Sequence, residues 1–207
     1  MNYFITGTDT GVGKTFVTAL LTRSLRAAGL DTIAFKPISC GPSDDLLILR
    51  AAANNILNED IVCPVQLPIA AAPYANERTG QPPVDVTLIR QTFRRLRANH
   101  RSILVEGVGG WLVPIRRYYF VHDLAKDLGL PVVIVVANRL GALNHTLLTI
   151  ESIRASGLTC AGIILNDANT ASDPVADSNH GILQELLNVP ILLEIAYGQK
   201  ILPFSIA

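Results

Sequence analysis

Net charge is missing from this chain. Its 207 residues carry 17 lysines and arginines against 17 aspartates and glutamates, and no basic tract breaks the balance. A nucleic-acid-binding role, which needs a positive stripe or patch, is therefore not expected. Long apolar runs are missing too. The longest, Leu130 to Ala137, has the length of a strand and falls far short of a membrane span. The first residues hold no basic region followed by an apolar stretch, so no secretory signal is expected. Cysteine is scarce and odd in number: Cys40, Cys63 and Cys160 have no metal-ligand spacing and suit a reduced, cytoplasmic protein. Internal repeats and low-complexity segments are absent. Apolar residues, by contrast, make up 49% of the chain, enough to bury one core in a single domain over residues 1–207.

One stretch organises the rest: Gly7-Thr8-Asp9-Thr10-Gly11-Val12-Gly13-Lys14-Thr15. It follows the apolar Tyr3-Phe4-Ile5 and opens onto an amphipathic segment, which is the order strand, glycine turn, helix. Backbone N–H groups and a helix N-terminus then face the same way and can cradle phosphates. Gly11 and Gly13 let the backbone approach an anion without a Cβ in the way. Lys14 supplies a charge for the outer phosphates, and the Thr15 hydroxyl suits a magnesium ion held between them. The first glycine is displaced by one position from the usual phosphate-loop pattern, which would put it at residue 8, where this chain has Thr8. A glycine turn that merely ends a strand does not account for Gly-Lys-Thr in that context. Nucleoside triphosphate binding is the expectation.

Along the rest of the chain, Lys14 to Ala28 has the three- and four-residue spacing of a helix, closed by Gly29. Thr32 to Phe35 is a strand that stops at Lys36-Pro37, because proline cannot donate to a ladder. Asp44-Asp45 begins a helix with acidic groups at its positive end. Residues 63–81 show little periodicity and are expected as a long connection around Pro73-Tyr74. Asp85 caps a helix to about Ala98, with Leu88, Ile89, Phe93 and Leu96 inward. Strands follow at Ile103–Val105, Pro131–Ala137, Ala161–Leu165 and Ile191–Ile195. Helices are expected over Asp123–Leu128, Leu143–Ser156 and Ile182–Leu187, and a polar loop over residues 167–179. Such alternation makes an α/β fold: an open, mostly parallel sheet with helices on both faces.

In a parallel sheet all carboxyl ends share one edge, and ligands sit there. The first strand delivers the glycine loop, the second Lys36, the third Glu106, the fourth Asn138 and the fifth Asn166. Lys14 and Lys36 are the cations that a polyphosphate needs, and both are expected to be reachable from the surface. Thr15, Glu106 and one of Asp44 and Asp45 are the oxygen ligands for magnesium. Each has a plainer alternative: Glu106 a solvated carboxylate, Lys36 a surface lysine, Asp45 a helix cap, Asn166 a turn former. His145 is read as a packed or capping histidine rather than a catalyst. An amide at Asn166 also matches the two-sided hydrogen bonding of a purine.

These residues resemble a known family. Gly7 to Thr15, then Lys36-Pro37, then Val105-Glu106-Gly107-Val108-Gly109-Gly110-Trp111, then Leu140-Gly141-Ala142-Leu143-Asn144-His145, is similar to the dethiobiotin synthetases, from about residue 2 to about residue 195. The resemblance implies a P-loop NTPase fold and an ATP- and magnesium-dependent closure of diaminopelargonic acid with carbon dioxide. It implies Lys14 and Lys36 as catalytic. Gly11, Val12, Gly13, Lys14, Thr15 and Asn166 would bind nucleotide, with Asn166 at the adenine. Thr10, Lys36, Cys40, Gly107, Gly109, Leu143 and Asn144 would bind substrate, and Thr15, Asp45 and Glu106 would hold magnesium. The Leu140–His145 segment would receive the substrate tail from the second subunit of a homodimer.

Three positions depart from the family's pattern. Cys40 stands where a serine is common, Tyr74 where a histidine follows the proline, and Leu193-Glu194-Ile195-Ala196 where a Gly-x-Ile-Pro stretch is usual. Two alternatives have less support. Related P-loop ligases usually carry a glutaminase domain, for which there is no length. Partition-type dimerising ATPases usually carry a lysine early in the loop, where this chain has none before Lys14.

Overall fold

Every residue of Val132–Ala137 is apolar, and every one is buried. A strand with no polar face has to be covered on both sides. The computed structural model, which describes residues 1–167 and 174–202, builds the molecule around that requirement. In chain order the elements are β1 (Asn2–Gly7), α1 (Lys14–Ala27), β2 (Thr32–Phe35), β3 (Ile38–Cys40), α2 (Asp45–Ala52), α3 (Glu59–Val62), β4 (Val65–Leu67), α4 (Pro73–Arg78), α5 (Val86–Asn99), β5 (Ser102–Glu106), β6 (Pro114–Arg116), β7 (Tyr119–Phe120), α6 (Val121–Leu128), β8 (Val132–Ala137), α7 (Ala142–Ala155), β9 (Cys160–Asn166), α8 (Pro174–Leu186) and β10 (Ile191–Ile195).

Six strands form one sheet in the order β10-β9-β8-β1-β5-β2, and every neighbouring pair is parallel. The chain starts in the middle, moves to one edge, then returns past β1 to the other. The glycine loop leaves β1 where the order turns, which is where open α/β sheets place their ligand crevice. Side chains alternate between two cores. Val132, Ile134 and Val136 pack with Phe4, Ile103 and the helices α5 to α7. Val133 and Val135 pack with Ile5, Leu104 and the α1 residues Val17, Leu20 and Leu21. Fully burying one such side chain contributes about 1.5–3 kcal/mol.

The observed elements differ from the expected ones at several places, the unexpected short helix α3 among them. On α5 the inward stripe is Val86, Ile89, Phe93 and Leu96, while Leu88 is exposed. Val86, Ile89, Phe93 and Leu96 recur at three- and four-residue spacing and share one face, and Leu88 falls off that stripe. Asp85 does cap this helix, accepting from the Leu88 N–H at 3.0 Å. Residues 63–81 are not one irregular connection: β4 pairs in parallel with β3, and α4 starts at Pro73, whose fixed φ suits a first helical position. The last helix begins at Pro174, so residues 174–179 are helical where a loop was expected. The expected loop over 168–173 lies outside the described residues. A short antiparallel hairpin, β6 with β7, had no counterpart in the sequence reading.

Candidate active site

The glycine loop is set by what cannot fit around it. Gly13 has φ +91°, and a Cβ there would stand 2.2 Å from Asn166 Nδ2. Val12, between the two glycines, is buried in the apolar cluster beside α1 and anchors the loop from below. Lys14 opens α1 and folds back over the loop, its Nζ donating to the Asp9 carbonyl at 3.1 Å. The first N–H groups of α1 have no intrahelical partner, so they are free to face an anion.

Across from the loop, Lys36 directly follows β2 and Glu106 ends β5. Lys36 Nζ donates to Glu106 Oε1 at 2.8 Å and also to Asp45 Oδ2. The Thr15 hydroxyl donates to the same Glu106 Oε1 at 2.8 Å. The other carboxylate oxygen, Glu106 Oε2, is buried and has no partner among the described residues. Lys36 is 6% exposed, Glu106 1% and Lys14 8%. Both lysines are therefore buried, contrary to their expected reach to the surface: each lies in a polar crevice that the sequence does not display.

Burial gives the lysines opposite behaviour. Burial, abetted by the nearby Lys36 charge, holds the Lys14 ammonium below the ordinary lysine value despite the pull of Glu106. Burial acts on Lys36 in the same direction, but the Glu106 charge and hydrogen bonds to Asp45 and Glu106 outweigh it, so Lys36 stands above the ordinary value. For Asp45, burial pushes the carboxyl up, while the hydrogen bond and charge of Lys36 bring it down, and the net position is below the ordinary value. Burial pushes the Cys40 thiol up to about 11.

These groups line a cavity of about 580 Å³ that gathers Thr10, Gly11, Gly13, Lys14, Thr15, Lys36, Cys40, Asp45, Glu106, Gly107 and Gly109. The remaining expected residues lie elsewhere. Val12 is under the loop. Asn166, at the end of β9, donates from Nδ2 to the Val12 carbonyl at 2.9 Å and so braces the loop. Asn138 is spent on ties between elements: its N–H donates to the Asn166 carbonyl, its Nδ2 to Asp167 Oδ1 at 2.9 Å, and its Oδ1 accepts from Asn179. Leu143 and Asn144 sit on the first turn of α7, Leu143 half-buried and Asn144 exposed, and neither lines the cavity. His145 is exposed rather than packed. Asp45 is the first residue of α2 and Asp44 takes the cap position without a side-chain capping bond.

Sequence reasoning missed Ser43 and the wall Ala70–Ala72. Ser43 accepts from the Asp45 N–H at 3.0 Å, and a serine two residues before a helix is a signal that could have found it. The alanines carry no chemistry and lie in the stretch without periodicity. At the altered C-terminal segment, Ala196 brings an N–H that proline lacks, and Gln199 Oε1 accepts it at 3.1 Å.

A family model described as an AAA domain matches residues 1–203. The ATP-dependent dethiobiotin synthetase BioD of Akkermansia muciniphila is 40% identical over 205 residues, covering 99% of this chain and 96% of that protein. The protein of the same name from Thermodesulfovibrio yellowstonii is 39% identical over 207 residues, covering 92% and 86%. Among solved structures, the septum site-determining protein MinD of Pyrococcus horikoshii OT3, complexed with Mg-ADP, has a TM-score of 0.60 at 20% identity, covering 95% of this chain and 82% of that one. FtsY of Thermotoga maritima has a TM-score of 0.58 at 14% identity, covering 99% and 65%. The solved structures share the fold, an open parallel sheet with helices on both faces. The curated relatives, alike over nearly the whole length, place this chain in the ATP-dependent dethiobiotin synthetase family.

Proposed function

We propose that this protein uses ATP to close diaminopelargonic acid and carbon dioxide into dethiobiotin, in biotin synthesis. One amine of the substrate takes up carbon dioxide as a carbamate. A carbamate oxygen attacks the γ-phosphorus of ATP, giving a carbamic-phosphoric anhydride and releasing ADP. The second amine then attacks the carbonyl carbon, forms the ureido ring and expels phosphate. The supporting observation is the meeting of Lys36, Glu106, Asp45 and Thr15 in one hydrogen-bonded group, with Lys14 alongside, at the end of the glycine loop.

Roles follow from position. Lys14 and the loop N–H groups orient the triphosphate. Lys36 holds charge as it develops on the transferring oxygens. No side chain has to serve as a general acid or base, and catalysis rests on positioning and electrostatics.

Thr15, Asp45 and Glu106 fit a magnesium ion. They offer a hydroxyl and two carboxylates, and the buried Glu106 Oε2 has no partner among the described residues. Magnesium favours one or two carboxylates with phosphate oxygens and water completing its shell. When bound it would neutralise phosphate charge.

The exposed Asn144 and half-buried Leu143 support a homodimer in which each α7 start serves the partner's substrate. The first turn of α7 would favour the substrate carboxylate. Among the described residues no helix is long and apolar enough to cross a membrane, and we place the enzyme in the cytoplasm. Phosphate release, coupled to a spectroscopic readout with bicarbonate present, tests the whole reading. It should depend on added diaminopelargonic acid; release indifferent to that diamine would overturn it.

A further inference from the structure

One wall of the cavity, Ala70–Ala72, belongs to neither a helix nor a strand. Its backbone is held from two sides. Asn76, on α4, is fully buried. Its Oδ1 accepts from the Ile69 N–H at 3.0 Å, and its Nδ2 donates to the Ile69 carbonyl at 3.1 Å. One carboxamide thus makes to Ile69 both bonds that a neighbouring strand would make. The same Nδ2 reaches the Ala72 carbonyl at 3.5 Å, so the clasp spans both ends of the wall. On the other side stands Gly41, directly after Cys40. A Cβ at Gly41 would lie 2.6 Å from Ala70 Cβ and 2.8 Å from Ala70 Cα.

We propose that Asn76 is a positioning residue for the diamine substrate. It lines no part of the cavity, yet it fixes the three methyl groups against which the aliphatic chain of the substrate lies. The proposal rests on the reading of this cavity as the diamine site. Most of the other lining side chains are charged or polar, so a chain of methylenes finds apolar contact only at the alanine wall and at Val108 and Val113. An apolar residue of similar size at position 76 would leave the Ile69 N–H unpaired and its carbonyl with only the Ala71 N–H, at 2.8 Å, and the wall would be free to move.

The test is Asn76→Ala, with Asn76→Asp as a companion that keeps the acceptor and loses the donor. Misplacement by about 1 Å can cost roughly 100-fold, and KM for diaminopelargonic acid should rise about 10- to 100-fold in Asn76→Ala. KM for ATP should stay within about twofold, and Asn76→Asp, whose buried carboxylate would face the Ile69 and Ala72 carbonyl oxygens, should raise the diamine KM at least as far as Asn76→Ala. Without substrate, amide hydrogen exchange at Ile69 should quicken while exchange in β1 is unchanged. A purely structural Asn76 would lower kcat through fewer active molecules and leave KM for the diamine alone, and that result overturns the proposal. If Asn76→Ala does not fold, Gly41→Ala, which presses on Ala70 from the opposite side, must raise the diamine KM selectively or the proposal falls. A parent protein that turns over no diamine sinks the proposed function and, with it, the substrate half of this proposal. The Ile69 exchange then decides the clasp by itself.

Discussion

Lys36 Nζ and Glu106 Oε1 lie 2.8 Å apart although 70 positions separate the residues in the chain. Both are buried, Lys36 at 6% and Glu106 at 1% exposure. Removing one member of a buried pair leaves the other charged and uncompensated, at a cost of about 3–5 kcal/mol. Lys36→Met should therefore abolish ring closure and also lower stability by about 3 kcal/mol. The double variant Lys36→Met with Glu106→Gln should regain most of that stability and none of the activity. Urea denaturation alongside the phosphate-release assay separates the two. Equal stability of the single and double variants would deny the coupling.

Protons should reveal the same group from the other partner. Asp45 ordinarily titrates at 3.8 and is held lower here, chiefly by Lys36 acting against burial. A carboxyl with a depressed folded pKa contributes stability that is present above the unfolded value and lost as pH falls through the folded value. Lys36 is the reverse: its raised pKa gives stability that is complete below 10.5 and fades as pH climbs past that value through the higher one. Urea midpoints measured below pH 4 should fall less steeply for Asp45→Asn than for the parent. Parallel curves would remove Asp45 from the ion group.

The thiol in the cavity should be unreactive. With its pKa pushed up to about 11 by burial, Cys40 is almost wholly protonated near neutrality, and only the thiolate is nucleophilic. Alkylation by iodoacetamide at pH 7.5 should be at least about 100-fold slower than that of a free cysteine. Cys40→Ser should keep activity, because a hydroxyl is the stronger hydrogen-bonding group. Rapid labelling of Cys40 at that pH would contradict its environment.

The residues that announced themselves in the sequence did so because their chemistry is tied to local context. Glycines before Lys14-Thr15, a β-branched run at β8, and polar residues at the ends of strands each follow from a few neighbouring positions. Glu106 with Lys36 was legible only because parallel strands share an edge; their burial was not, since it depends on Asp45 and the wall contributed by residues 70–72. That wall is alanine, which carries no signal, and Asn76 works through backbone atoms that any residue would present. Leu88 and Val86 show the same limit on a smaller scale: the apolar spacing admits either stripe, and only the direction of the helix axis chooses.

Leu143 and Asn144 lie outside the cavity, which leaves two ways for them to serve it: not at all, or from a second chain. Subunit mixing distinguishes these. Lys14→Ala removes the phosphate lysine, and Asn144→Lys should disable the tail-binding turn. In a two-fold dimer with shared sites, a mixed dimer pairs the intact Lys14 of one chain with the intact Asn144 of the other at one of its two sites. Random mixing makes about half of the dimers hetero-dimers, so about a quarter of parental activity should return from two inactive proteins. If position 144 serves no site, Asn144→Lys alone should keep parental activity and mixing should add nothing to it. A scattering mass equal to one chain at the assay concentration would exclude the shared site as well.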